Sequence, residues 1–288
     1  MYDALVGPFL QYGFMQRALL GSVDLSVSCA PVGVFLMLRR MSLTGDAMSH
    51  AILPGAALGF LLFGLDILPM TMGGLVVGLV VALGSGLVSR FTVQKEDASM
   101  AAFYLISLAV GVLLVSWRGS SVDLMHVLFG SVLALNDEAI GLIVSIAAVT
   151  FLAFGFCWRG LVAECLDPLF LRSVSRIGGP VHFLFLVLVV LNLVGGFQAL
   201  GTLLSVGLMM LPAVAARFWS NDVRTLCLIA ITIAVVSSLG GLLLSYHASM
   251  PSGPAIIMVA GGAYILSALF GRRGVLASAL PSRRHRSA

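Results

Sequence analysis

The chain has 288 residues, 60% hydrophobic and 10% charged, with a net charge of +4 and a mean hydropathy of +1.10. A water-soluble domain carries about 25% charged residues, so the composition excludes a soluble enzyme or carrier and describes an integral membrane protein. The four cysteines, Cys29, Cys157, Cys165 and Cys227, include no CxxC pair, which argues against a disulfide framework or a thiolate metal cluster.

Residues 1–18 hold Asp3, Gln11, Gln16 and Arg17 and read as an interfacial segment. They lack the basic start, apolar run and small-residue cleavage site of a secretory signal. Apolar runs of about 20 residues then mark spanning helices, near 19–38, 47–63, 67–89, 98–116, 139–157, 181–195, 198–216, 225–246 and 253–270. The run 47–63 is interrupted by Pro54, and 181–195 and 198–216 are short and parted only by GGFQALG, so the count is eight or nine. GAALG (55–59) and GLVVG (74–78) match the small-residue spacing of closely packed membrane helices. The segment 117–138 is expected to carry a short apolar helix along the membrane surface, and 246–254 reads as a Pro/Gly turn. The expected fold class is therefore all-α, a polytopic membrane helix bundle with 8–9 transmembrane helices over 19–271. A basic tail, 272–288, follows and is expected to be disordered.

Basic residues orient the bundle. With the Arg39–Arg40 loop cytoplasmic, strict alternation puts 14 of the 16 Lys and Arg on that side and leaves only Arg17 and Arg118 opposite. The C-terminus is then cytoplasmic, its arginines solvated and near anionic lipid.

The stretch GDAMSHAILPG (45–55) stands out in a chain that avoids charge. Residues i and i+4 share one helix face, about 6 Å apart along the axis, so Asp46 and His50 can converge on one cation. An oxygen plus a nitrogen donor suits Mn²⁺, Fe²⁺ or Zn²⁺ better than Mg²⁺ or Ca²⁺. Two ligands make a weak site, which suits an ion that must leave again. Pro54 has no N–H, so the His50 carbonyl loses its helical partner. Two other readings stay open: Asp46 caps a helix N-terminus, and His50 is a buried histidine bonded to a carbonyl. Weaker metal candidates are His247, His126 and Asp24; Met209 and Met210 are soft donors in principle and packing residues by default.

GDAMSHAILPGAALG resembles the signature of the ABC-type manganese/zinc/iron permease family, G-D-[AS]-[LI]-S-H-[AS]-hydrophobic-L-P-G. ALGTLLSVGLMMLPAVAAR (199–217), SYHASMPSGPAIIMVAG (245–261) and MHVLFGSVL (125–133) are similar to further segments of that family, in order along nearly the whole chain. The resemblance implies that Asp46 and His50 line a metal pathway. It implies a bacterial inner-membrane subunit that carries a divalent metal ion as substrate and holds no permanent cofactor. The implied partners are a cytoplasmic ATP-binding subunit, an extracytoplasmic metal-binding protein and a second permease copy, with no nucleic acid.

The chain has no GxxxxGK[ST] loop, and its one lysine, Lys95, follows no glycine loop, so it is not expected to hydrolyse ATP itself. The expected coupling element is 158–180, WRGLVAECLDPLFLRSVSRIGGP. In it Glu164, Asp167, Pro168 and Phe170 are the candidate ATPase-docking residues, on a short amphipathic helix that would seat in a groove of the partner. The family pattern there resembles D-P-E-x-A-x-x-x-G; Asp167 and Pro168 match it, whereas Leu169, Leu171 and Ser175 depart from it. Alternatives are a permease for a metal chelate or siderophore, and an ATP-independent secondary metal transporter.

Overall fold

The computed structural model describes residues 7–64, 66–117, 135–167, 171, 173, 175 and 177–276. No strand occurs among them, and ten helices do. In chain order these are α1 (Gly7–Gln11), α2 (Gly13–Leu38), α3 (Thr44–Phe63), α4 (Ile67–Phe91) and α5 (Glu96–Trp117). They continue with α6 (Asp137–Leu166), α7 (Gly178–Leu200), α8 (Thr202–Ala216), α9 (Val223–Ala248) and α10 (Ser252–Phe270). All of α2–α10 except α8 are long and apolar enough to cross a bilayer. The fold is an all-α polytopic bundle.

Helices α3, α4 and α5 pack together on one side, and α2, α8, α9 and α10 on the other. Between them runs α7, against α2, α4, α6 and α8. Helices α2 and α7 are buried over most of their length. The others turn wide apolar faces outward, with Leu113, Leu152 and Phe156 fully or largely exposed, as expected where lipid replaces water. The 15 residues of α8 rise about 22 Å, less than the ~30 Å hydrocarbon core. It packs against α2, α7, α9 and α10.

Glycine sets the closest approaches. Gly55 of α3 faces Gly73 of α4, and a Cβ added at Gly59 would sit 2.7 Å from Met70 Cα. Both glycines of GAALG therefore lie in the α3–α4 contact.

The helix limits differ from the apolar runs in three places. The first span begins at Gly13, inside the segment expected to be interfacial, and Arg17 there pairs with Asp137 at the start of α6 (3.2 Å). Helix α6 continues past 157 to Leu166. Helices α7 and α8 part at Gly201 (φ 90°, ψ 160°), a backbone region open essentially only to glycine, and Gly195 and Gly196 remain helical. Most of 117–138, with His126 and the surface helix expected there, lies outside the described residues, as do Pro168, Phe170 and the tail from 277.

Helix α2 ends in a Schellman motif. The Met41 N–H donates to Leu36 O (2.9 Å) and the Arg40 N–H to Met37 O (3.0 Å). Arg40 holds the left-handed position (φ 61°), which usually falls to glycine. The turn aims the chain directly into α3.

Candidate functional site

Asp46 and His50 lie in the first two turns of α3, on the side away from α4. Asp46, His50, Leu53 and Ala57 are partly or fully exposed along one stripe, whereas Met48, Ile52, Gly55 and Gly59 are buried. The side chains converge: His50 Nε2 is 3.9 Å from Asp46 Oδ1, with the two side chains 44% and 69% exposed. The helix N-cap is Leu43, with no side-chain cap bond. Asp46 therefore sits in the positively polarised first turn without capping it. His50 donates to no carbonyl, and apart from each other neither its ring nor the Asp46 carboxylate has a partner among the described residues.

The surroundings hold the pair still. Helix α3 stays continuous through the buried Pro54, so the Asp46–His50 spacing is that of an unbroken helix. Ser107 of α5 donates to the Ala51 carbonyl (2.9 Å), anchoring the turn beside His50. On the other flank α8 crosses at Gly45, where an added Cβ would lie 3.1 Å from Met209 Cε and 3.8 Å from Met210 Sδ. Met209 is fully buried packing, and Met210 is a half-buried thioether beside the first turn.

Two ligand atoms bonded at about 2.1 Å and set at a tetrahedral angle lie about 3.4 Å apart. The 3.9 Å separation in the structure needs a closure of about half an ångström, within side-chain rotation. The separation is thus compatible with both side chains reaching one ion.

The other candidates fall elsewhere. His247 is exposed at the end of α9, its Nδ1 on the Leu243 carbonyl (2.9 Å). The α9 start, at Val223, shares a cavity with Arg39 and Arg40, so His247 stands 24 residues and about 36 Å along the helix from that end. Asp24 is half-buried midway along α2 with Oδ2 unbonded. Asp167 caps the end of α6, exposed, and its carbonyl accepts from the Leu171 N–H (3.2 Å).

Glu164 lies inside the bundle rather than on its surface. It is buried and turned inward, 3.8 Å from Arg39 Nη2. Arg39 in turn reaches His182 Nδ1 (2.9 Å), and His182 Nε2 reaches Glu96 Oε1 (3.2 Å). None of Arg39, His182 and Glu96 forms a local motif; their meeting is purely tertiary, and sequence spacing carries no sign of it.

Comparison with known proteins follows the same outline. The model of the ABC 3 transport family matches residues 11–271. The chain belongs to the ABC 3 transport family. The manganese transport system membrane protein MntC of Listeria innocua is 32% identical over 270 residues, 93% of this chain and 95% of the relative. The chelated iron transport system membrane protein YfeD of Yersinia pestis is 30% identical over 273 residues, 94% and 90% of the two chains. Among solved structures, PsaBC from Streptococcus pneumoniae in complex with Fab superposes with a TM-score of 0.81 at 29% identity, over 95% of this chain and 97% of that one. As an ABC 3 family member the chain is a multi-pass membrane transport subunit, and the Asp46–His50 stripe lies within the matched region.

Proposed function

We propose that this ABC 3 family member is the permease of an ATP-driven importer for a divalent transition-metal ion (manganese, zinc or iron) and that Asp46 and His50 are its transit ligands. The observation that carries the reading is the converging, otherwise unbonded carboxylate and imidazole on α3. Placing an Asp in a membrane span costs roughly 2.5–3.5 kcal/mol on insertion scales, and here it is left exposed on the single chain. A second copy laid against the α3 stripe removes it from lipid and brings a second Asp46–His50 pair to the same passage. Four donors from two chains then enclose one ion, and each chain alone holds it loosely.

In this reading the arginine-rich end of the bundle is cytoplasmic. A separate subunit binds and hydrolyses ATP there, and an extracytoplasmic protein delivers the ion at the other end. The permease supplies no hydrolytic chemistry; it binds the ion differently in two conformations, which is the minimum that coupling to ATP requires. His247, at the outer end of α9, remains a weak candidate for first contact with the ion. Names of relatives point to manganese and to chelated iron, so the cargo is tested directly. Growth rescue and cell metal content are measured in a transporter-deficient strain, under limitation for each metal in turn. Asp46→Ala and His50→Ala are expected to abolish rescue at normal membrane abundance. Full rescue by either variant at that abundance would refute the site.

A further inference from the structure

A row of four ionisable side chains lies at the arginine-rich end: Glu164, Arg39, His182 and Glu96, spaced 3.8, 2.9 and 3.2 Å. The first three side chains are at most 7% exposed. They line one side of a cavity of about 800 Å³ that also takes in Arg90 and Arg217. Arg39 is further held by Cys165 Sγ, which accepts from its Nε (3.3 Å), and by the Phe185 ring, 4.6 Å beneath the guanidinium.

Chemistry fixes the proton in this row. A guanidinium only donates, so His182 Nδ1 accepts from Arg39, and the ring proton sits on Nε2, which lies 3.2 Å from Glu96 Oε1. His182 is thus a neutral relay between a cation and a carboxylate.

The chain path gives the row its meaning. Glu164 stands in the last turn of α6, and His182 in the first turns of α7. These are the two arms of the segment between the helices. Both arms grip Arg39, the C-cap of α2. From Arg39 the Schellman turn leads in five residues to α3, which carries Asp46 and His50. Buried ion pairs are often replaceable by apolar residues at no cost in stability, so stability alone does not account for charges placed where these four elements meet.

We propose that Arg39 is a positioning residue for transport, linking movement of the α6–α7 segment to the start of α3 and so to the geometry of Asp46 and His50. The inference rests on the proposed reading of that segment as the ATPase contact and of the pair as the metal site.

The test uses the assembled transporter with its ATPase subunit in proteoliposomes, reading manganese uptake per ATP hydrolysed. Truncating Arg39 alone removes a cation facing the buried Glu164 and risks misfolding, so the variant is the matched apolar pair Arg39→Met/Glu164→Leu. The expected result is ATP hydrolysis and manganese binding retained, with uptake per ATP lowered about tenfold or more, within the usual range of coupling between sites. His182→Leu should behave alike. His182→Gln, whose amide oxygen accepts from Arg39 while its NH₂ donates to Glu96, should restore the ratio. A merely structural role would not separate Gln from Leu in this ratio. A wild-type ratio in the double variant overturns the proposal, and if that variant fails to assemble, equal ratios in His182→Leu and His182→Gln overturn it instead. Asp46→Ala runs in parallel. Uptake lost there but normal in the double variant overturns the coupling role alone; uptake retained there overturns the site reading and this inference with it.

Discussion

Gly55→Ala tests whether the helix that carries the site is held by backbone contact. A Cβ at Gly55 would lie 2.6 Å from the Gly73 carbonyl carbon and 2.9 Å from the Gly74 nitrogen, and it would overlap the Gly73 oxygen. All three are backbone atoms of α4, so no side chain can rotate away. Relief requires the α3 and α4 axes to part by roughly 1 Å, a strain of about 1–3 kcal/mol on the scale of overpacked cores. Alanine recovers up to about 1 kcal/mol of helix propensity, leaving a net loss of about 1–2 kcal/mol. Gly155 on α6, with nothing within 4 Å of its added Cβ, is the control, and alanine there meets only the favourable propensity. Detergent-solubilised protein is heated and the folded fraction followed by size exclusion, beside metal uptake in cells. Gly55→Ala should melt lower and transport less, because His50 lies five residues before the displaced contact; Gly155→Ala should do neither. Equal melting and uptake in the two variants would refute close packing as what fixes α3.

Gly201→Ala forces a side chain into a glycine-only region and should destabilise by about 1–3 kcal/mol, read as a lower melting point. Arg40→Gly removes a left-handed arginine and should stabilise by about 1 kcal/mol, with melting again the measure. Asp222 caps α9, accepting from the Thr225 N–H (3.0 Å) and hydroxyl (2.9 Å), and these bonds hold its carboxyl below the usual range. A lowered folded-state pKa contributes stability that is full above the unfolded value near pH ~4 and fades as pH falls through the folded one. Melting of Asp222→Asn, compared with the parent across pH 6 to about 3, should therefore lose that acid-side decline.

The apolar runs located every long helix because lipid demands continuous hydrophobicity, and that demand is local. Helix ends were legible only where they, too, were local. The end of α6 was missed because Arg159 and Glu164 break the apolar run, while the helix persists through a counter-charge on Arg39, far away in the chain. Gln16 and Arg17 hid the start of α2 in the same way, through Asp137. Asp46 and His50 were readable since a four-residue spacing alone brings them together. The cap alternative for Asp46 needed coordinates to set aside, because a carboxylate three residues past Leu43 looks the same in sequence whether it caps or not.

The two salt bridges between α2 and α6 differ in kind. At one end Arg17 and Asp137 meet in the open, their side chains 49% and 81% exposed; at the other, Arg39 and Glu164 meet sealed from solvent. An open pair is weak and easily exchanged for water, whereas parting a sealed one strands a charge. Sliding α6 lengthwise would break both, but swinging it breaks only the weak one. The 27 steps from Asp137 to Glu164 put the two pairs about 40 Å apart along the helix. Separating α6 from α2 therefore costs more at the sealed end than at the open one.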